Sequence, residues 1–153
     1  KEDIDYLYWL SGSLAGSIQA SQGDPQYLID LPSIKWLLEN AIAIDPNWQN
    51  GTLSAAMMSV YLNDLSGDKN AQKIALSYFE LAEKQSNGLN ASIFVTLAEN
   101  YAVSKQDKKL FIELLDKALD IDVNKDKSFK QSNKLSQSRA KWLKSRVDDL
   151  FYM

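Results

Sequence analysis

Neither cysteine nor histidine occurs in these 153 residues. Without cysteine there is no disulfide framework, no thiolate metal site and no thiol nucleophile. That absence suits the cytoplasm and the periplasm equally. Without histidine, the commonest metal ligand and the commonest acid–base group near neutral pH are missing too. Proline occurs three times and glycine six times, too few for the tight turns of a β-rich fold. No apolar run approaches the roughly 18–20 residues that a membrane-spanning helix needs. The chain opens Lys1-Glu2-Asp3-Ile4, with neither an initiator methionine nor a signal-peptide pattern. It reads as a trimmed or processed fragment, with its native N-terminus and any export signal upstream.

What is present is ordinary for a globular protein: 45% hydrophobic and 24% charged residues, in a length that suits one domain with a real core. The net charge of −3 hides an asymmetry. Residues 1–124 carry 9 basic and 17 acidic side chains, whereas 125–153 carry 8 and 3. Acids at Asp148 and Asp149, and no Gly/Arg-rich run, make the basic end a solvated helix face or an intramolecular pairing surface rather than a nucleic-acid or membrane segment.

Helical periodicity fills most of the chain, and strand alternation is not found. The first helix places Ile4, Leu7, Tyr8, Leu14, Ala15 and Ile18 on one face and ends before Gly23-Asp24-Pro25. A second starts near Asp30, a capping residue, with Pro32 in its first turn and the stripe Ile34, Leu37, Leu38, Ala41, Ile42. Asp45-Pro46 stops it, since a residue before proline is pushed out of helical geometry. A third carries Leu53, Ala56, Met57, Val60 and Tyr61 and breaks at Gly67; a fourth carries Ala71, Ile74, Ala75, Tyr78, Leu81 and Ala82 and stops at Asn87-Gly88. Asn90 opens a fifth with Ile93, Phe94, Leu97, Ala98 and Tyr101, and Asp107 a sixth with Leu110, Phe111, Leu114, Leu115, Ala118 and Leu119. A last helix, over 128–152, is marked by Leu135, Trp142, Leu143, Val147, Leu150 and Phe151.

A repeat runs through them. Ile34, Leu38 and Ala41; Ala75, Phe79 and Ala82; and Phe111, Leu115 and Ala118 share the same offsets, those of the second helix of a tetratricopeptide unit. Phe94, Leu97, Ala98 and Tyr101 match the first-helix pattern. The predicted fold is all-α: a tetratricopeptide-like array of three helix pairs in a single domain over 1–153, closed by the C-terminal capping helix. Such pairs cannot bury their stripes alone, so they stack and leave one concave surface for a partner.

Catalysis would have to come from carboxylates, lysine, tyrosine or serine. Glu80 and Glu83 share a helix face and Asp148-Asp149 are adjacent, but a hydrolytic pair needs two acids facing each other across a cleft. The oxygen-rich run Asp120, Asp122, Asn124, Asp126 imitates half a calcium loop, yet the required glycine is Lys125 and the closing acid is Gln131. The expectation is a non-enzymatic binding protein with no metal and no cofactor. Its candidate contact residues are Glu99 and Asn100, polar positions on the first helix of the third pair; Arg139, expected to pair with Glu99, Glu113 or Asp116; Trp48, an inter-repeat wedge or a ring at a pocket mouth; and Trp142, a buried capping residue or a contact. Gly12 and Gly16 are expected to admit close helix packing.

Three blocks carry a family resemblance: Asn133-Lys134-Leu135-Ser136-Gln137-Ser138-Arg139-Ala140-Lys141-Trp142-Leu143 with Asp148-Asp149-Leu150-Phe151; Leu37-Leu38-Glu39-Asn40-Ala41 with Ile44-Asp45-Pro46-Asn47-Trp48; and Tyr78-Phe79-Glu80-Leu81-Ala82 with Phe94-Val95-Thr96-Leu97-Ala98-Glu99. The chain resembles the T-component (TatT-like) family of TRAP transporters. The resemblance implies an exported bacterial protein, commonly a lipoprotein, working in the periplasm beside a solute-binding protein, with this chain as the C-terminal part of a longer member. Sheltering a small organic ligand is expected as a second role. The alternatives are a general tetratricopeptide scaffold for protein partners and a homo-oligomerisation unit.

Overall fold

The structure, a computed structural model, describes residues 2–21, 24, 26, 29–64 and 68–152. Among the described residues all regular structure is helical. In chain order the helices are α1 (Glu2–Ala20), α2 (Leu31–Ile44), α3 (Thr52–Leu62), α4 (Ala71–Gln85), α5 (Ala91–Leu97), α6 (Lys108–Asp120), α7 (Lys130–Ser145) and the single turn α8 (Val147–Leu150). A 3-10 turn, Trp48–Gly51, precedes α3, and a π-helical turn, Ala98–Ala102, prolongs α5. Two compact units result, 1–78 and 79–153, the division falling inside α4.

Helix ends follow local chemistry. α2 stops where Asp45 turns extended ahead of Pro46. α4 stops where Asn87 and Gly88 take left-handed angles and the Gly88 N–H returns to the Glu83 carbonyl at 2.8 Å. The Asn90 side chain accepts from the Ser92 N–H at the start of α5, and Asp107 accepts from the Leu110 N–H at 2.9 Å at the start of α6. Asp30 holds the capping place on α2 without a side-chain hydrogen bond, so Pro32 alone among the expected signals works there. The breaks expected at Gly23, Pro25 and Gly67 lie outside the described residues.

In the first unit, α1 packs on α2 and α2 on α3. Their stripes meet in a core of Ile4, Ile34, Leu38, Ala41, Leu53, Met57 and Val60, flanked by Leu7, Tyr8, Leu14 and Ile18. Trp48 joins this core at 9% exposure, its ring 5.0 Å from that of Tyr8. Three successive positive φ angles, at Gln49, Asn50 and Gly51, lead the chain from the buried indole into α3. Two of those residues are not glycine, so this turn is strained by roughly 1–2 kcal/mol each. Gly12 and Gly16 differ from expectation: a Cβ at either would meet nothing within 4 Å, so neither serves a close helix approach.

In the second unit, α5, α6 and α7 pack mutually, burying Ile93, Phe94, Phe111, Leu115, Ala118, Ala140 and Leu143. The ring of Phe151 closes on Phe111 edge to face at 5.0 Å. Gln106 clasps the chain end, donating to the Leu150 carbonyl and accepting from the Tyr152 N–H at 2.9 Å.

The expected long last helix is broken at Arg146, and its orientation corrects the sequence reading. Leu135 and Trp142, expected to face inward, are 74% and 47% exposed, and Leu81 of α4 also faces outward. The inner face of α7 is made instead by Asn133, Gln137, Ala140 and Leu143. Asn133 donates to the Leu89 carbonyl at 2.7 Å and accepts from the Ala91 N–H at 2.8 Å. Gln137 donates to the carbonyls of Ala118, Leu119 and Ile121, which end α6. Unpaired carbonyls at a helix end must find donors. Amides on α7 answer that demand, and a leucine or an indole in the same place would leave it unmet.

Candidate functional site

The turn that follows α5 brings the first candidate into place. After Leu97 the helix widens: the Val103 N–H bonds the Ala98 carbonyl five residues back, at 3.2 Å. π turns of this kind are rare and concentrate at functional positions. Ala98 and Ala102 stay buried, and Glu99 and Asn100 between them remain partly exposed.

Glu99 faces α7. Both of its carboxylate oxygens engage Arg139, one taking the Nη2 hydrogen and the other the Nε hydrogen at 3.4 Å. Of the three acids expected as partners for Arg139, the structure selects Glu99. Asp116 pairs with Lys144 at 2.5 Å, and Glu113 lies 3.9 Å from Lys109. The hydrogen bond to Glu99 pushes the Arg139 guanidinium further above its usual range, burial opposes that rise, and the nearby carboxylate charge adds to it. Arg139 therefore keeps its charge at any ordinary pH.

That guanidinium also lies over Trp142, 4.3 Å from the ring centroid, one turn further along α7. Arg146 approaches the same indole at 5.7 Å and is held by Asp149 at 2.5 Å. Two cations thus approach one half-exposed indole, each anchored by its own carboxylate. Planar guanidinium over indole is a favourable pairing, worth about 0.5–1 kcal/mol at exposed positions.

The other candidates separate from this group. Asn100 donates its side-chain amide to the Thr96 carbonyl one turn back at 3.0 Å, a local bond within the helix. Trp48 is enclosed in the core of the first unit, the place of a wedge and not of a ring offered to a partner. Sequence reasoning missed Arg146, Asn133 and Gln137. Arg146 carried a signal, since it continues the series 135, 139, 142, 146 along one face of a helix.

Asp122 and Asp126, in the loop resembling half a calcium site, accept from the backbone N–H groups of Asn124 and Ser128. Hydrogen bonds from the Ser128 hydroxyl and backbone hold the Asp126 carboxyl below its ordinary range. Among the described residues no group of three or more acidic side chains is placed to hold a metal ion, and no helix is long and apolar enough to cross a membrane.

The family model described as the TRAP transporter T-component matches residues 1–151. The chain is also similar to an uncharacterized protein of Treponema pallidum (strain Nichols), 24% identical over 149 residues. That match covers 97% of this chain and 46% of the other, so the chain spans about half the length of that relative. A match over nearly every residue, on an all-helical fold, places this chain in the TRAP transporter T-component family.

Proposed function

We propose that the chain is a non-catalytic accessory of a tripartite ATP-independent uptake system, working in the periplasm, where it docks the solute-binding protein of that system. A lipid anchor upstream of Lys1 would hold it at the membrane. The observation that carries the docking role is the convergence of Glu99, Arg139 and Trp142, from two separate elements, at one surface of the second unit. Tryptophan and arginine are the residue types that dominate binding energy at protein interfaces. An organic ligand would have a place in the same unit: an open hollow of about 430 Å³ lined in part by Leu89, Phe94 and Ile121, with Lys117 and Lys125 set among Glu83, Asp120 and Asp122.

Isolation of the full-length protein from its native periplasm, with bound proteins identified by mass spectrometry, tests this reading. The expected result is recovery of a solute-binding protein, and less of it with Glu99→Lys, which sets two cations against each other beside the indole. Recovery of outer-membrane assembly factors instead would sink the transport role and favour a general scaffold. Recovery of self alone would favour an oligomerisation unit. That second reading has its own support in the first unit, where Tyr6, Trp9 and Trp36 are 79%, 68% and 60% exposed.

A further inference from the structure

We propose that the outward face of α7 is built to receive a protein partner that presents carboxylates around an apolar side chain. This rests on the docking reading above and names the chemistry of the partner's surface. Leu135, Arg139, Trp142 and Arg146 stand four, three and four residues apart, which aligns them in one stripe along α7 and the turn after it. At 74% and 47% exposure, Leu135 and Trp142 present apolar area that a partner surface would cover. The arginines sit beside that apolar surface, and their reach is fixed beforehand. Glu99 and Asp149 each hold one guanidinium against the indole and leave its remaining N–H groups free to meet an incoming carboxylate.

The charged residues of α7 itself have one sign. The sequence of α7 contains Lys130, Lys134, Arg139, Lys141 and Lys144 and no acidic residue. Arg139 and Lys144 have carboxylate partners, whereas among the described residues Lys130, Lys134 and Lys141 form no ion pair. Lys134 and Lys141 are seven apart, on a line adjacent to the stripe, and both are exposed. A helix whose buried face needed only Asn133, Gln137, Ala140 and Leu143 had no structural use for this many cations. Unpaired lysines beside a half-exposed tryptophan suit an acidic protein surface, with the lysines steering approach and the Trp–Arg pair holding the complex. An anionic membrane would meet the same lysines, and the vesicle measurement below separates it from a protein partner.

Calorimetric titration of the full-length protein with the solute-binding protein of the same transport system, at low and high salt, separates the outcomes. Trp142→Ala is expected to weaken binding about thirtyfold or more, as for a central hot spot. Arg139→Gln should weaken it too, and the double variant Lys134→Ala, Lys141→Ala should flatten its salt dependence. Trp142 is not core, so helicity and melting temperature serve as the check that each variant is folded. No binding by the parent protein would overturn the docking reading itself. Binding by the parent that is within twofold in both Trp142→Ala and Arg139→Gln, or is insensitive to salt, would overturn this assignment alone. Sedimentation with phosphatidylglycerol vesicles that is lost in the same variants, when solute-binding protein binding is not, would give the surface to lipid instead.

Discussion

Trp142 and Phe111 are both aromatic side chains on helices of the second unit, and their surroundings are opposite. Phe111 has no exposed surface, whereas Trp142 is 47% exposed and touches mainly arginine. Phe111→Ala should therefore cost about 3–5 kcal/mol of stability, the loss of a buried ring and the cavity left behind. Trp142→Ala should cost only about 0.5–1 kcal/mol, the worth of an exposed cation–π contact. Urea unfolding of the two variants checks the ranking; equal losses would mean that the indole is as structural as the sequence reading held. Tyr8 makes a different prediction, through pH. Burial among α1, α2 and Trp48 raises its hydroxyl above the ordinary 10.0, and burial likewise raises Tyr78, with Tyr61 and Glu39 adding to the effect. A phenol that ionises later in the folded chain than in the unfolded one keeps its full stabilising effect below pH 10.0 and loses it as pH climbs through the raised value. Stability should fall as pH rises from 10.0 to the raised value, and Tyr8→Phe, which keeps the ring and removes the titration, should fall less steeply over that range. Parallel curves for the two proteins would exclude Tyr8 as a cause.

At the scale of elements, α7 shows what a periodicity argument can and cannot reach. The helix stops at Asp45-Pro46 and Asn87-Gly88 and the starts at Asn90 and Asp107 were legible, because each rests on chemistry within four residues of itself. The stripes of α1, α2, α3, α5 and α6 were legible too, because each has one clearly apolar side. α7 offers two candidate faces, one with Leu135 and Trp142, the other with Asn133, Gln137, Ala140 and Leu143. The second goes inward because the end of α6 and the turn before α5 present backbone groups that need amide partners, and only the folded chain shows that those groups lie there. Charge offered Glu99, Glu113 and Asp116 alike as partners for Arg139, and the choice of Glu99, like the cluster with Trp142 and Arg146, follows from the orientation of α7 and so stayed hidden. Asn133→Ala should cost about 2–4 kcal/mol, since it strands the Leu89 carbonyl and the Ala91 N–H together. Asn133→Leu restores volume and no hydrogen bond, and is expected to be no better. Recovery of parental stability in the leucine variant, by thermal or urea unfolding, would mean that packing and not hydrogen bonding holds α7.

Across the whole molecule, two interiors support the described helices: one around Ile34, Leu38, Leu53 and Met57, the other around Ile93, Phe111, Leu115 and Leu143. Each unit has its own interior, and local openings are governed by nearby contacts, so a lesion is expected to be felt most in the unit where it is made. Met57 and Leu115 are both fully buried, and truncating either to alanine should cost about 2–5 kcal/mol. Amide hydrogen exchange under native conditions reports where that loss falls. Met57→Ala should speed exchange chiefly in α1, α2 and α3, and Leu115→Ala chiefly in α5, α6 and α7. Glu99 and Arg139 lie among the helices governed by Leu115, so partner binding should survive Met57→Ala far better than Leu115→Ala at a temperature where both variants are mostly folded. Equal acceleration of exchange across all the helices in both variants would instead describe one fully cooperative body, in which a defect anywhere loosens the proposed docking surface.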